Sequence, residues 1–92
     1  MEHEGRFQRN SAVSETEIDG DIFLVEPETE EVFYLDTTSP GLWRLIAEPQ
    51  TLAEVSAVYA AAFPDTDRAT IEQDLAAALD DLLDRGLAVT LP

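Results

Sequence analysis

The stretch Asp21–Trp43, DIFLVEPETEEVFYLDTTSPGLW, decides how this chain folds. Two short apolar runs, Ile22–Val25 and Val32–Leu35, flank Pro27-Glu28-Thr29-Glu30, which suits a turn with proline at its second position. Both runs are rich in β-branched and aromatic residues, so they read as paired strands. Upstream, Asp19-Gly20 is a two-residue hairpin signal joining a run from Val13 to Ile18 to the run from Asp21 to Glu26. The expectation is a three-stranded antiparallel meander. In its last strand the period of two puts Phe33 and Leu35 on one face and Val32 and Tyr34 on the other, and both faces are apolar. One face needs the domain core; the other needs something else. Nothing obvious in the sequence covers the last strand. A strand left at a sheet edge offers N–H and C=O groups that a protein either hides or uses to bind an extended peptide.

After Leu35 the hydrophobic period becomes helical. Thr38 or Ser39 can cap a first helix with Pro40 at its first position, and Leu42, Trp43, Leu45 and Ile46 form a stripe that stops near Glu48-Pro49. Thr51 to Glu54 fits the S/T-x-x-E capping box and opens a second helix, where Leu52, Val55, Val58, Tyr59 and Phe63 recur at helical spacing until Pro64. Asp65, Thr66 and Asp67 supply turn and cap chemistry. A third helix runs from about Arg68 to Arg85, with Ile71, Leu75, Leu79 and Leu82 in one stripe and Gly86 as its stop. Leu87, Val89 and Leu91 then alternate as a short terminal strand would.

Ninety-two residues make one domain with one modest core. No apolar run approaches the ~18 residues of a membrane span, and the opening MEHEGRFQRNSAV has no apolar segment of the kind a signal peptide needs. Residues 1–12 therefore read as a mobile polar tail and 13–92 as the domain, with the cytoplasm as the default location and no membrane partner. Twenty acidic residues against five arginines give a formal net charge of −15. Such a surface repels phosphate backbones, which excludes nucleic acid as a natural partner. Beyond keeping the chain soluble, it would attract a basic peptide or protein surface. The absence of cysteine removes disulfides, thiolate metal sites and cysteine nucleophiles.

Single residues with chemical potential weigh little. His3, the only histidine, has no second ligand in view, so no metal site is expected. No Ser/His/Asp grouping or glycine-rich phosphate loop occurs, so catalytic residues and cofactors are expected to be absent. Trp43 reads as a packing anchor. Tyr34 falls on the outer sheet face or strand edge, within reach of a peptide or partner. Asp80, Asp81 and Asp84 read as a solvated helix face.

Three strands followed by three helices is an α+β domain with a winged helix-turn-helix-like order. A third strand ending Tyr34-Leu35-Asp36, followed by Thr37-Thr38-Ser39-Pro40-Gly41-Leu42-Trp43, resembles the PqqD-like family, also called RiPP recognition elements. There, a strand ending in Leu-Asn leads through small residues into a helix carrying a tryptophan. The likeness continues through Thr51 to Val55, Asp74-Leu75, Leu79, Leu82 and Gly86-Leu87, covering roughly residues 13 to 91. The chain departs from the pattern at Asp36, where Asn is usual, and at Pro40-Gly41, where Gly-Ala is common. Neither change breaks the fold, since Asp makes the same side-chain turns and proline suits a first helical position.

The resemblance implies a non-catalytic module that captures the leader of a ribosomally made precursor peptide and presents it to a separate modifying enzyme. That enzyme would be a leader peptidase, a radical-SAM enzyme or a cyclase, in a lasso-peptide or PQQ-type pathway. A leader laid antiparallel along the third strand would bond to the backbone of Glu31, Val32, Phe33, Tyr34, Leu35 and Asp36, its side chains dropping into a cleft against the third helix. On a helical projection Asp74, Ala78, Asp81 and Arg85 share one flank of the core stripe, and this flank is expected to line the cleft. Two alternatives belong to other classes. An acidic carrier protein would need a serine for a prosthetic arm in an Asp-Ser-Leu context, whereas Ser39 sits in Thr-Thr-Ser-Pro-Gly. A winged-helix DNA binder would present Glu72, Asp74, Asp80, Asp81 and Asp84 to phosphates, against electrostatics.

Overall fold

The computed structural model describes residues 5–35 and 38–91. In chain order these form β1 (Arg6–Arg9), β2 (Ser14–Ile18), β3 (Asp21–Val25), β4 (Val32–Leu35), α1 (Ser39–Leu45), α2 (Leu52–Ala62), α3 (Arg68–Asp84) and β5 (Ala88–Leu91). The expected meander is present as an antiparallel sheet in the order β2-β3-β4, and β1 and β5 pair as a second, smaller sheet. Asp19 and Gly20 have φ of 52° and 87°. Two successive positive φ values give the twist that a two-residue hairpin requires. At the far end, the Thr29 N–H and hydroxyl donate to the Glu26 carboxylate at 2.8 and 3.0 Å. The Thr29 backbone bond is the main reason the Glu26 carboxyl titrates below its usual 4.5.

The core joins all layers. Ile22, Leu24 and Leu35 come from the sheet, Leu42, Trp43 and Ile46 from α1 and its end, Val55 from α2, and Ile71, Leu75, Leu79 and Leu82 from α3. The α3 stripe is thus the one read from its periodicity. Trp43 is the expected anchor: it is buried, and its Nε1–H donates to Glu15 Oε1 at 2.7 Å, which meets the need of a buried indole for an acceptor. Gly41 lets α1 and α2 touch, because a Cβ there would run into the Tyr59 hydroxyl, which donates to the Thr38 carbonyl at 2.9 Å.

The capping box at α2 is complete, with Glu54 N–H donating to Thr51 Oγ1 at 3.0 Å and Thr51 N–H to Glu54 Oε1 at 2.8 Å. The α2 stripe is narrower than its spacing suggested. Val55 is buried, but Val58 and Phe63 are 49% and 54% exposed. The helix packs mainly against α3, with Tyr59 reaching the start of α1, so residues that face neither neighbour stay in solvent. Thr38 and Asp67 occupy the N-cap positions of α1 and α3 without a side-chain cap bond. At the end of α3, Leu87 N–H donates to the Leu82 carbonyl at 2.9 Å and Gly86 N–H to the Leu83 carbonyl at 3.1 Å. With Gly86 at φ 73° this is a Schellman stop, flanked by the buried Leu82 and Leu87.

The N-terminal expectation is corrected. Within the segment read as a mobile tail, Arg6–Arg9 is a strand in register with β5, and Phe7 is only 2% exposed, a full member of the core. Phe7 N–H donates to the Gln50 carbonyl at 2.7 Å and Gln50 N–H returns the bond at 3.0 Å. Arg9 Nε donates to the Trp43 carbonyl at 2.8 Å, and its guanidinium stacks 4.7 Å from the Trp43 ring centroid. A lone phenylalanine in a four-residue strand shows no period, which is why local pattern missed it. The terminal strand also differs in its faces, since Leu87 and Ala88 are buried while Val89 is exposed. His3 lies outside the described residues. No helix among the described residues is long and apolar enough to cross a membrane.

Candidate functional site

β4 is an end strand of its sheet, and the N-terminal strand, which could have covered it, pairs with β5 instead. The orientation of its backbone follows from the register. Glu26 N–H donates to the Glu31 carbonyl at 3.0 Å, and stepping two residues along the ladder makes Leu24–Phe33 and Ile22–Leu35 the pairs that exchange hydrogen bonds. The N–H and C=O of Val32 and Tyr34 therefore turn to the outer rim. Leu35 is buried and Phe33 packs against the core, while Val32 and Tyr34 are 63% and 53% exposed, as the period of two requires.

Facing this rim across a cavity of about 270 Å³ is α3. Val32, Phe33, Tyr34 and Leu35 form one wall, and Asp81 and Arg85, with Leu87 below them, form the other. One to two turns earlier on α3, Asp74, Ala77 and Ala78 line a second cavity of about 450 Å³ together with Thr38 and Ser39 at the start of α1. Beyond the opposite end of β4, Glu31 and Arg85 line a third of about 410 Å³ with the Pro27–Thr29 turn and the end of α3. Arg85 stands between the first and third. Its guanidinium lies 4.9 Å from the Phe33 ring centroid, and its Nε donates to Asp81 at 2.9 Å. That hydrogen bond and the charge of Asp81, reinforced by Glu31, raise the already high pKa of Arg85.

The structure thus brings Val32, Phe33, Tyr34, Leu35, Asp81 and Arg85 around one cavity, and sets Asp74 and Ala78 beside a neighbouring one. Glu31 lines the third cavity. Asp36 lies outside the described residues. Sequence reasoning did not include Thr38, Ser39, Ala77 and Leu87. Leu87 enters the cavity wall because the Schellman stop folds the chain back under α3, and Gly86 was the available signal. A polypeptide laid along the rim could pair its main chain with β4 while alternate side chains enter the cavities.

Residues 21–88 match the model of the family described as Coenzyme PQQ synthesis protein D (PqqD). The chain belongs to the PqqD family. Two solved structures share the PqqD-like fold. TbiB1 in complex with the TbiA(beta) leader peptide superposes with a TM-score of 0.80 at 27% sequence identity, over 92% of this chain and 98% of TbiB1. A lasso peptide synthetase B1 complexed with the leader peptide gives a TM-score of 0.74 at 23% identity, over 90% of this chain and 96% of that one. No curated protein sequence is significantly similar to this PqqD-family chain.

Proposed function

We propose that this PqqD-family domain captures the leader segment of a ribosomally synthesised precursor peptide by strand addition to β4 and presents it to a separate modifying enzyme. The observation that carries the reading is the pairing of an end strand, the Val32 amide group turned outward, with a cavity opposite on α3. Main-chain hydrogen bonds would set the leader's register, and the cavities beside Phe33, Asp81, Ala78 and Asp74 would choose its side chains. Two further points support it: membership of the PqqD family, and likeness to a TbiB1 structure that contains a leader peptide. The domain acts by binding rather than catalysis, in a lasso-peptide or related RiPP pathway. The acids Glu31, Asp74 and Asp81 around the cleft favour a leader carrying Lys or Arg.

Titration with a labelled leader from the same pathway, followed by amide hydrogen exchange, tests the proposal. Slower exchange at Val32 on saturation is the expected result. Saturable binding with protection confined to α2 would refute strand addition.

A further inference from the structure

The hollow beside Asp74 and Ala78 is not the end of the cleft. Thr38 and Asp74, which line it, also line a smaller cavity of about 180 Å³ together with Tyr59 and Phe63. Those two rings, 6.1 Å apart, in turn border a groove of about 440 Å³ between α1 and α2, where Leu45, Val58 and Ala62 complete an apolar lining. Successive hollows share lining residues, so a path leads from the cleft past the start of α1 to the α1–α2 groove. Pairing along β4 alone leaves the groove unused, and its Val58 and Phe63 are about half exposed. Among the described residues that line it, Arg44 is the one that carries charge, in a chain with twenty acids. Its guanidinium donates to Glu17 at 2.7 Å and stays half exposed, so its other donors can reach a further carboxylate.

We propose that the α1–α2 groove is a second leader subsite, which takes an apolar side chain from the segment preceding the strand that pairs with β4. A Lys or Arg would pass Asp74 on the way, and an acid would meet Arg44 at the far end. The inference deepens the leader-capture reading and rests on it. Direction and continuity select the occupant. The chain runs from β4 into α1, so a leader antiparallel to β4 enters at the Leu35 end, and its preceding residues lie nearest Thr38 and Asp74 at the mouth of the path. A second copy would oppose acid to acid in chains of net charge −15. An anchor joined covalently to a strand already held binds intramolecularly, so one apolar contact multiplies the affinity of the whole leader.

The test compares a full leader with one trimmed at its N-terminus to the segment that pairs with β4. Both are titrated against wild type and against the double variant Val58→Gln and Phe63→Gln. These positions are half exposed and the new side chains are neutral, so the variant should fold and keep the charge that draws the leader. Burial of one apolar side chain predicts that trimming weakens binding to wild type about tenfold or more. The variant should weaken the full leader to a similar degree and leave the trimmed leader unchanged. Equal affinity of both leaders for wild type would overturn the proposal without need of any variant. So would a variant that weakens both leaders alike. A wild-type dimer in sedimentation, or binding of the purified leader peptidase, that the variant abolishes while full-leader affinity stays unchanged would assign the groove to that occupant and overturn the proposal too. Failure of the trimmed leader and the full leader alike to bind wild type would instead sink the leader-capture reading itself.

Discussion

The guanidinium of Arg85 sits 4.9 Å from the centroid of the Phe33 ring, so a side chain from the last turn of α3 and one from β4 meet across the mouth of the cleft. Asp81, one turn earlier, fixes the guanidinium from behind at 2.9 Å. The contact sets the distance between strand and helix at the end of the rim nearest Glu31. There a leader running antiparallel to β4 would leave the cleft towards its C-terminus.

Arg85→Ala should therefore separate binding from folding. Its ion pair is exposed, and such contacts contribute little to stability, so the urea midpoint should hardly move. Leader affinity should fall about fivefold, and Arg85→Lys should not restore it, because an ammonium cannot stack flat on the ring. Calorimetric titration of the three proteins checks this. Wild-type affinity in both variants would remove Arg85 from the leader site.

Proline substitution distinguishes the two sides of β4. Val32→Pro deletes an N–H that faces the rim, so it should weaken leader binding by about tenfold or more while leaving the far-UV spectrum intact. Phe33→Pro deletes a donor to β3 and should unfold the sheet. If Val32→Pro binds leader like wild type, the rim is not the pairing edge.

Phe7→Ala should destabilise the domain by about 3–5 kcal/mol, the cost of truncating a buried phenylalanine. Deletion of residues 1–12 should do at least as much harm, since it also strips β5 of its ladder partner. Urea unfolding measures both. Wild-type stability in the truncated chain would show that β1 contributes nothing.

The capping box predicts a pH signature. Bonds from the Thr51 backbone and hydroxyl hold the Glu54 carboxyl below its usual 4.5, so its stabilisation is present above that pH and is lost as pH falls through the lowered folded value. Glu54→Gln should thus be less stable than wild type at neutral pH, with the gap closing below pH 4.5. Thr51→Ala removes the hydroxyl acceptor and should cost about 1 kcal/mol throughout. Thermal melts across pH 3–7, roughly the range in which carboxylates titrate, give both readings.

The elements legible in the sequence were those specified by neighbours along the chain. Asp19-Gly20 demanded positive φ at two positions and obtained it, Thr51 and Glu54 capped each other, and the spacing of Ile71, Leu75, Leu79 and Leu82 was carried straight into the core. Phe33 and Leu35 took the inner face for the same reason, because side chains in a strand alternate whatever the strand packs against. Both walls of the candidate cleft except Leu87 were readable from strand and helix periodicity, as β4 and the Asp81–Arg85 flank of α3.

Tertiary structure decided which partner each exposed surface found. Whether the N-terminal residues would float, cover β4 or pair with β5 depended on contacts between opposite ends of the chain, and four residues with one phenylalanine carry no period to announce the outcome. Val58 and Phe63 satisfied helical spacing yet stayed in solvent, since spacing fixes direction around a helix but not whether a neighbour stands there. The shape of the candidate cleft arises at that same level: β4 is an end strand while β1 pairs with β5, and the Schellman turn at Gly86 carries Leu87 into the lining of the cavity that β4 faces.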